Sequence, residues 1–259
     1  MSTPEGIMDQ SDIAIIGAGV VGTNMHDLFP GAQLIDPPRD LTPERKTWRV
    51  AFVCVPTPMG EDGACDTSIV EQAITENEAD VFVIKSTVPP GTTDRIAQSA
   101  GRRIIFSPEW TGATQHSVAI DDGFLILGGR RDFMSPVVEL YKSVKPATFR
   151  IMKTTAETAE LVKYAENAFL ATKVSFFDEF YRLCEAIGVD VDEFREALLL
   201  DPRIGREHSF AYRDHPWWES KCFDKDLPAV CQWAEAHGVR ANLVQAVIDV
   251  NSLHKREGS

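Results

Sequence analysis

The sequence predicts an α/β domain with a doubly wound parallel sheet, followed by an all-α domain. Three observations support this prediction. Short apolar runs alternate with helix-length segments up to about residue 150. A glycine-rich turn directly follows the first apolar run. From Thr154 onward, apolar residues recur at helical spacing. We therefore expect a disordered lead over residues 1–11, the α/β domain over 12–150 and the helical domain over 151–259.

Six short apolar runs are predicted to form the strands of the first domain. Each run is apolar throughout rather than alternating, which is typical of parallel strands buried on both faces. Connections between parallel strands are right-handed, so the intervening helices should cover both faces of the sheet. The predicted strands span residues 12–16, 32–36, 50–55, 80–85, 103–106 and 124–127.

The second domain is predicted to begin with a long helix. Thr154-Thr-Ala-Glu157 has the spacing of a capping box. The helix should run to about Ile187, where Gly188 ends it. Further helices are predicted over 191–200, 227–237 and 241–255, with an irregular segment over 201–221. The apolar residues expected on one stripe of the long helix are Ala159, Val162, Ala165, Phe169, Val174 and Phe177.

The composition is that of a globular protein with a sizeable core, since 44% of the 259 residues are hydrophobic and 25% are charged. The formal net charge of −13 disfavours nucleic-acid binding, because an acidic surface repels phosphates. The five cysteines show no metal-binding spacing. Their odd number and the lack of a signal peptide favour reduced thiols in the cytoplasm. No apolar run approaches the length of a membrane span.

The glycine-rich turn, Gly17-Ala-Gly19-Val-Val-Gly22, fits the G-x-G-x-x-G pattern. It lies between a predicted strand and a predicted helix, which is the context of a Rossmann-type dinucleotide site. In such a turn the glycines let the backbone approach a pyrophosphate, and the helix N-terminus supplies N–H groups. We therefore expect the cofactor to contact Gly17, Gly19, Val20, Val21 and Gly22.

Asp36 ends the second predicted strand. At that position a carboxylate accepts the ribose hydroxyls of NAD. Arg39 is close enough in sequence to raise NADP as an alternative cofactor. We favour NAD, because the carboxylate of Asp36 would repel a 2′-phosphate.

Cys222 lies in the polar hexapeptide Lys221-Cys-Phe-Asp-Lys-Asp226. Lysines one residue before and three residues after it favour the thiolate, which is the nucleophilic form. The carboxylates two and four residues after it oppose this effect unless they point away. Taken alone, the pattern also fits an inert, partly buried cysteine beside a solvated charge cluster.

Several motifs in a fixed order give the chain a resemblance to a known family. From residue 12 to residue 251 it resembles the UDP-glucose/GDP-mannose dehydrogenase family. After the glycine-rich turn, the motifs are Cys54-Val-Pro-Thr-Pro58, Lys85-Ser-Thr-Val-Pro-Pro-Gly-Thr-Thr93, Ser107-Pro-Glu-Trp110, the segment from Glu160 to Phe169, Asp201-Pro-Arg-Ile-Gly205 and Cys222-Phe-Asp-Lys-Asp226.

The resemblance implies a four-electron oxidation, in which a primary alcohol of a nucleotide sugar becomes a carboxylate while two NAD are reduced. Cys222 would capture the aldehyde as a thiohemiacetal, and a second hydride transfer would leave a thioester that water hydrolyses. Lys163 and Asn167, four residues apart on one helix face, would stabilise an oxyanion. Glu109 would activate the hydrolytic water, and Asp226 would hold or assist it.

The same resemblance implies the remaining contacts. Thr87 would position the water or the nicotinamide side of the cofactor. Lys225 would lower the pKa of the thiol or lie near the cofactor. Further cofactor contacts are expected at Val55, Pro56, Thr57 and Ser86, and substrate contacts at Arg203, Trp217 and Trp218.

Three departures from the family pattern concern the substrate. The resemblance stops near Asn251, before the third domain in which the family binds much of the nucleotide. The loop before Cys222 carries Trp217 and Trp218, which could stack on a base or sugar, or fill the surface left by that domain. Ala113 stands where the family often has a second acidic residue. A different or smaller alcohol as substrate, or completion of the pocket by a partner chain, would account for these departures.

Two other functions remain open. A two-electron β-hydroxyacid dehydrogenase would also use the Lys163 and Asn167 pair, without Cys222. A non-catalytic NAD-binding remnant would keep the fold without the chemistry. Under the family resemblance we expect a homodimer formed through the helical domain and a nucleotide sugar as substrate, with neither nucleic acid nor membrane as a partner.

Overall fold

A computed structural model describes residues 8–43, 47–110, 123–210, 217–220 and 222–257. Two compact units are present. The first, called unit 1, contains residues 8–60, 65–110 and 123–163, and the second, called unit 2, contains residues 61–64 and the described residues from 164 onward. Residues 151–163, which the sequence analysis assigns to the helical domain, thus belong to unit 1. The expectations concerning Ala113 and Lys221 lie outside the described residues.

Unit 1 is built on one sheet of seven strands in the order β2-β1-β3-β4-β5-β6-β7. Neighbouring strands are parallel except for β5 and β6. The predicted α/β fold class is therefore confirmed. The strands are β1 (Ile13–Ile16), β2 (Gln33–Ile35), β3 (Thr47–Val53), β4 (Glu78–Ile84), β5 (Ile104–Phe106), β6 (Phe124–Gly128) and β7 (Arg150–Thr154).

The sheet departs from the sequence prediction at its far edge. β6 runs antiparallel to β5, with the single register pair Phe106 and Gly128. Burial on both faces gives the same apolar composition in either direction, so composition does not predict strand direction. β7 is an additional strand at the edge, and its side chains are exposed or half-buried. Its sequence therefore lacks the apolar run by which the other strands are recognised.

Helices cover both faces of this sheet, as the doubly wound prediction requires. α1 (Val20–Leu28) and α4 (Ser135–Val144) pack on one face, and α2 (Ser68–Thr75) and α3 (Thr92–Ala100) pack on the other. Alternate residues of β3 enter the two cores. This double burial explains why the central strands are apolar throughout.

The segment before β1 is part of unit 1. Met8 is buried in the same core as Met25. The side chain of Gln10 accepts a hydrogen bond from the backbone N–H of Gly31 at 2.9 Å. A short 3-10 turn over Gln10–Asp12 then leads into β1. Residues 8–11 therefore belong to the folded unit rather than to the disordered lead predicted over residues 1–11.

The longest helix, α5 (Ala156–Ile187), begins directly after β7. Its cap is Thr155, because Oγ1 of this residue accepts the backbone N–H of Thr158 at 3.2 Å. The predicted cap, Thr154, is instead the last residue of β7. Because β7 has no apolar run, the sequence analysis does not predict this strand and therefore places the helix cap one residue too early. The helix ends at the predicted residue.

Glu160 holds α5 against the N-terminus of α3. Its carboxylate accepts hydrogen bonds from the backbone N–H groups of Gly91 at 2.7 Å and Thr93 at 2.8 Å, and from the Thr93 hydroxyl at 2.6 Å. N–H groups at the start of a helix have no partner within it, so Glu160 caps α3 from outside. Burial raises the pKa of Glu160, against the opposing effect of these hydrogen bonds.

Unit 2 is helical. It contains α5 from Tyr164 onward, together with α6 (Val191–Leu198), α7 (Phe223–Ala236) and α8 (Asn242–Glu257). None of the helices within the described ranges has the length and apolar character needed to cross a membrane. One packed cluster of buried apolar residues in unit 2 consists of Ala171, Val174, Trp218, Phe223, Leu227 and Val247.

α7 begins at Phe223, four residues before the predicted start at Leu227. Ser220 Oγ accepts the backbone N–H of Phe223 at 2.9 Å, and Asp224 Oδ2 accepts the N–H of Ser220 at 3.1 Å. These reciprocal bonds link the first turn of α7 to Ser220, which lies two residues before the N-cap Cys222. The first turn of α7 is mostly charged, so the apolar periodicity does not reveal it.

The apolar stripe predicted along α5 is buried only in part. Val174 and Phe177 are buried, whereas Phe169 is 66% exposed and Ala165 is exposed. The helix carries apolar residues on more than one face. Helical spacing identifies such faces, but it does not show which of them meets the core.

Replacing Glu160 with glutamine should destabilise unit 1. A glutamine amide keeps the size of the side chain but has only one acceptor oxygen. The carboxylate of Glu160 has two, and three donors now bond to them. We expect the free energy of unfolding to fall by about 1–3 kcal/mol, measured by urea denaturation. Glu157→Gln is the matched control, because Glu157 loses the same charge from an exposed position on the same helix. Equal effects of the two substitutions would contradict the capping role.

Candidate functional site

The three glycines of the turn after β1 have different environments. Gly17 has a φ of +101°, and a Cβ there would lie 2.5 Å from the carbonyl oxygen of Cys54. A Cβ on Gly22 would lie 1.8 Å from the carbonyl oxygen of Gly17. A Cβ on Gly19, in contrast, would meet nothing within 4 Å. The outer glycines are thus required by backbone contacts, while the middle one borders open space that a ligand can enter.

This turn opens onto the N-terminus of α1. Gly19 is the cap of α1 and has no side chain to bond the first N–H groups. Such groups bind anions well, and the helix dipole favours a negative charge there. β1 lies between β2 and β3. The turn is therefore at the topological switch point of the sheet, where open α/β folds bind their ligands.

Asp36 follows β2 and contacts the glycine-rich turn. Its Oδ2 accepts the backbone N–H of Ala18 at 2.8 Å. Arg39 Nη1 donates to the carbonyl oxygen of Ala18 at 2.6 Å, and its Nε lies 3.6 Å from Asp36 Oδ2. The Arg39 side chain is 63% exposed. A carboxylate and a guanidinium thus meet at the position predicted to bind the ribose.

The loops after β3 and β4 are joined by hydrogen bonds. Ser86 Oγ donates to the carbonyl oxygen of Val55 at 2.6 Å. Thr57 Oγ1 donates to the carbonyl oxygen of Thr87 at 2.9 Å. Pro56, which lies between Val55 and Thr57 in the sequence, is exposed. The structure therefore brings these predicted cofactor residues together at the carboxyl edge of the sheet, next to the glycine-rich turn.

Glu109 faces a lysine that the sequence analysis does not select as a site residue. Lys85 Nζ lies 3.3 Å from Glu109 Oε2 and donates to the carbonyl oxygen of Pro108 at 3.3 Å. Glu109 Oε1 accepts the backbone N–H of Trp110 at 3.1 Å. Lys85 directly precedes the Ser-Thr-Val-Pro motif, so its sequence position is the one signal that could have identified it.

Lys163 is buried on α5, one turn after Glu160. Its ammonium nitrogen lies 5.3 Å from the centre of the Trp110 ring. A cation over the face of an indole is attracted by the ring quadrupole, which restricts where the ammonium can go. The aromatic residue after Glu109 thus positions the lysine that the sequence predicts to contact the substrate oxygen.

In unit 2, three of the predicted residues form one cluster. Asp226 is buried, and its Oδ2 accepts a hydrogen bond from Asn167 Nδ2 at 2.6 Å. Its Oδ1 pairs with Lys225 Nζ at 2.5 Å. Cys222 is the exposed residue at the N-cap of α7, one turn before Asp226. A helix N-terminus favours the thiolate form of a cysteine.

The predicted substrate residues are placed differently from one another. Trp218 is buried, with Nε1 donating to Ser175 Oγ at 3.0 Å and its backbone N–H donating to Asn251 Oδ1 at 2.9 Å. Trp218 therefore packs within the core of unit 2, where it does not offer an open face for stacking on a ligand. Trp217 is half-buried. Arg203 is exposed and pairs with Asp201, two residues away.

Family models match segments in both halves of the chain. Residues 39–119 match the NAD binding domain of the UDP-glucose/GDP-mannose dehydrogenase family, and residues 157–253 match its central domain. The chain belongs to this family. The UDP-glucose 6-dehydrogenase AglM of Haloferax volcanii is 33% identical over 231 residues, covering 77% of this chain and 51% of the relative. The UDP-glucose 6-dehydrogenase of Rhizobium meliloti is 35% identical over 231 residues, with 80% and 51% covered.

Solved structures of the family agree with the fold. A UDP-glucose dehydrogenase from Pyrobaculum islandicum superposes with a TM-score of 0.79 at 26% identity, covering 98% of this chain and 70% of that one. A UDP-D-ManNAc dehydrogenase from Pyrococcus horikoshii has a TM-score of 0.72 at 24% identity, with 93% and 68% covered, and this likeness concerns the fold alone. The chain spans about half the length of the curated relatives it matches.

NAD fits the residues that this dehydrogenase-family chain presents. Open space at Gly19 and the N–H groups of α1 suit a pyrophosphate. Asp36 uses Oδ2 to bind the turn, which leaves Oδ1 for the ribose hydroxyls. Arg39 is already held by Ala18 and Asp36. The carboxylate would therefore accept the ribose hydroxyls of NAD, and it pairs with the cation that would attract a 2′-phosphate.

Replacing Asp36 with asparagine should shift cofactor preference from NADH toward NADPH. The amide oxygen can still accept the Ala18 N–H, but the negative charge that repels a 2′-phosphate is gone. We expect NADPH to bind at least about tenfold more tightly and NADH more weakly, measured by fluorescence titration. Asp40→Asn is the control, because it removes the same charge from an exposed neighbour. Equal changes in both affinities would contradict the assignment.

Proposed function

We propose that this chain is an NAD-dependent oxidoreductase that oxidises a primary alcohol of a nucleotide sugar to a carboxylate, with Cys222 as the covalent nucleophile. The observation that carries the proposal is the cluster at the start of α7. There, an exposed cysteine precedes by one turn a buried aspartate bonded to Asn167 and Lys225. Relatives of this chain are named UDP-glucose 6-dehydrogenases, which supports a UDP-hexose as the substrate class.

The role of Cys222 follows from its position. The thiolate adds to the aldehyde carbon, forming a C–S bond and a thiohemiacetal. Loss of a hydride from this carbon leaves a thioester. Water then adds to the thioester carbonyl, the C–S bond breaks, and the thiolate of Cys222 is restored. NAD supplies the acceptor for both hydrides, so each alcohol consumes two NAD and one water and yields a carboxylate, two NADH and three protons.

The supporting residues act on oxygen atoms and protons. Lys163 and Asn167 are one helical turn apart on α5, and both are buried. An ammonium and an amide N–H at this spacing can donate to one substrate oxygen and stabilise its negative charge. Glu109 takes a proton from the hydrolytic water. Thr87, tied to Thr57 through its backbone, helps to position the cofactor.

Replacing Cys222 with serine tests the covalent step. The wild type should release two NADH for each sugar oxidised. In Cys222→Ser the rate of acid formation should fall by at least about a hundredfold, because the nucleophile is lost. The assay follows NADH absorbance with UDP-glucose, GDP-mannose and UDP-N-acetylhexosamines. Cys231→Ser is the matched control, since Cys231 is a half-buried cysteine of the same helix.

Two outcomes would redirect the proposal. If Cys222→Ser keeps full turnover while Lys163→Ala abolishes it, the enzyme is a two-electron β-hydroxyacid-type dehydrogenase. If no sugar nucleotide yields NADH although NAD raises the melting temperature, the chain is a non-catalytic NAD-binding protein.

We further propose that two copies of the chain associate through α5. Within unit 2 this helix exposes Phe169, Phe176, Leu183 and Ile187, at 66%, 47%, 52% and 75%. The first three are spaced seven residues apart, which places them on one face of the helix. A large exposed apolar face of this kind is typical of a protein–protein interface. The regular spacing along one helix supports a second, antiparallel or parallel copy of the same helix as its partner. The odd number of cysteines supports a cytoplasmic location.

Replacing Leu183 with glutamate should dissociate such a dimer. A carboxylate at the centre of an apolar interface has no partner and must be desolvated. We expect the sedimentation coefficient to change from that of a dimer to that of a monomer. Leu200→Glu is the matched control, because Leu200 is 84% exposed and lies outside α5. A wild type that sediments as a monomer would disprove the interface.

A further inference from the structure

Lys85 is a buried cation with a defined partner. It follows β4, and its side chain is only 3% exposed. Removing an ammonium group from water is costly unless a counter-charge and hydrogen bonds replace the solvent. Here the carboxylate of Glu109 supplies the charge at 3.3 Å, and the carbonyl oxygen of Pro108 accepts a hydrogen bond at 3.3 Å.

The other titratable groups around this pair do not replace Glu109 as the counter-charge. Burial raises the pKa of the Cys54 thiol to about 12, so that residue is neutral. The Tyr141 hydroxyl donates a hydrogen bond to Met25 Sδ at 3.7 Å. Lys145 lines the same cavity and is itself a cation. Among the described residues, Glu109 is therefore the carboxylate that compensates Lys85.

The charge of Lys85 is retained despite its burial. Burial alone lowers the pKa of a lysine, but the negative charge of Glu109 at 3.3 Å opposes this effect, and the pKa of Lys85 is raised above its ordinary value. A lysine ammonium at 3.3 Å favours the ionised form of Glu109. The pair therefore keeps Glu109 as a carboxylate, the form that a general base requires.

The two oxygens of Glu109 are held by different groups. Oε2 faces Lys85, and Oε1 accepts the backbone N–H of Trp110 at 3.1 Å. The pair borders a cavity of about 240 Å³, which is also lined by Asn24 and Tyr141. This volume is sufficient for several water molecules. Glu109 is thus fixed in direction and adjoins a space that can contain solvent.

We infer that Lys85 is a positioning residue, which keeps Glu109 ionised and correctly oriented for activating water. The inference rests on the proposed function, in which Glu109 takes a proton from the hydrolytic water. Lys85 itself touches neither the substrate nor the cofactor in this role. It acts through Glu109, and its removal should affect the pH dependence of the reaction more than the binding of NAD.

Lys85→Met tests the inference, because methionine keeps the length of the side chain and removes its charge. The acid limb of the pH–rate profile for carboxylate formation should move to higher pH by about 1 unit or more, since an opposite charge at this distance favours ionisation by that amount. NADH affinity should stay unchanged. Lys145→Met is the matched control, as Lys145 lines the same cavity and should leave the acid limb in place.

A second measurement does not depend on activity. The side-chain carboxyl ¹³C resonance of Glu109, identified by its absence from Glu109→Gln, should titrate at higher pH in Lys85→Met than in the wild type. If Lys85→Met unfolds, the double variant Lys85→Met/Glu109→Gln should be more stable to urea than Lys85→Met, because its buried charge is removed. An unchanged Glu109 titration, or a double variant less stable than Lys85→Met, would overturn the inference. A shifted titration in a protein that oxidises no sugar nucleotide would overturn the proposed function and leave the pairing of Lys85 with Glu109 established.

Discussion

The hydrogen bonds that Glu160 accepts at the start of α3 determine where α5 begins relative to the sheet of unit 1. Three donors converge on this buried carboxylate, which would be costly to bury without them. Because α5 is one continuous helix, the constraint extends to Lys163, one turn further on. The helix also approaches β6 closely, since a Cβ on Gly128 would lie 2.6 Å from that of Ala159. The placement of Lys163 beside Trp110 depends on both contacts.

Each unit contains a buried charged side chain whose charged partner lies in the same unit. In unit 1, Lys85 faces Glu109. In unit 2, Asp226 lies between Asn167 and Lys225. Buried pairs of this kind add little net stability, because desolvation offsets their attraction, but losing one partner is strongly destabilising. Their consequence is geometric: a carboxylate with a fixed partner on each oxygen has one orientation. Both carboxylates belong to motifs of the dehydrogenase family, so the same interactions that satisfy burial also orient the groups on which the proposed chemistry depends.

The positions of the glycines and Asp36 in the nucleotide turn could be predicted from the sequence, because their contacts are local. A side chain on Gly17 would collide with the carbonyl oxygen of Cys54, which follows β3, and one on Gly22 would collide with the carbonyl oxygen of Gly17. The carboxylate of Asp36 directly follows β2 and bonds the same turn. Trp218 and Lys85 are different. Whether an indole stacks on a ligand or enters a core depends on Ser175 and other distant residues. Likewise, sequence alone would place Lys85 on the surface, because its carboxylate partner Glu109 lies far away in the sequence.

The sequence by itself determined six of the seven strands in their order, the nucleotide turn, and the family motifs that contain the proposed catalytic residues. These features depend on apolar periodicity and on residue types at short spacing, and both are properties of the chain alone. Only the tertiary structure decided the antiparallel pairing of β6, the additional strand β7 and the exposure of Phe169. It also decided which charged side chains are buried together. These features depend on contacts between residues far apart in sequence, where burial and desolvation rather than local propensity select the arrangement.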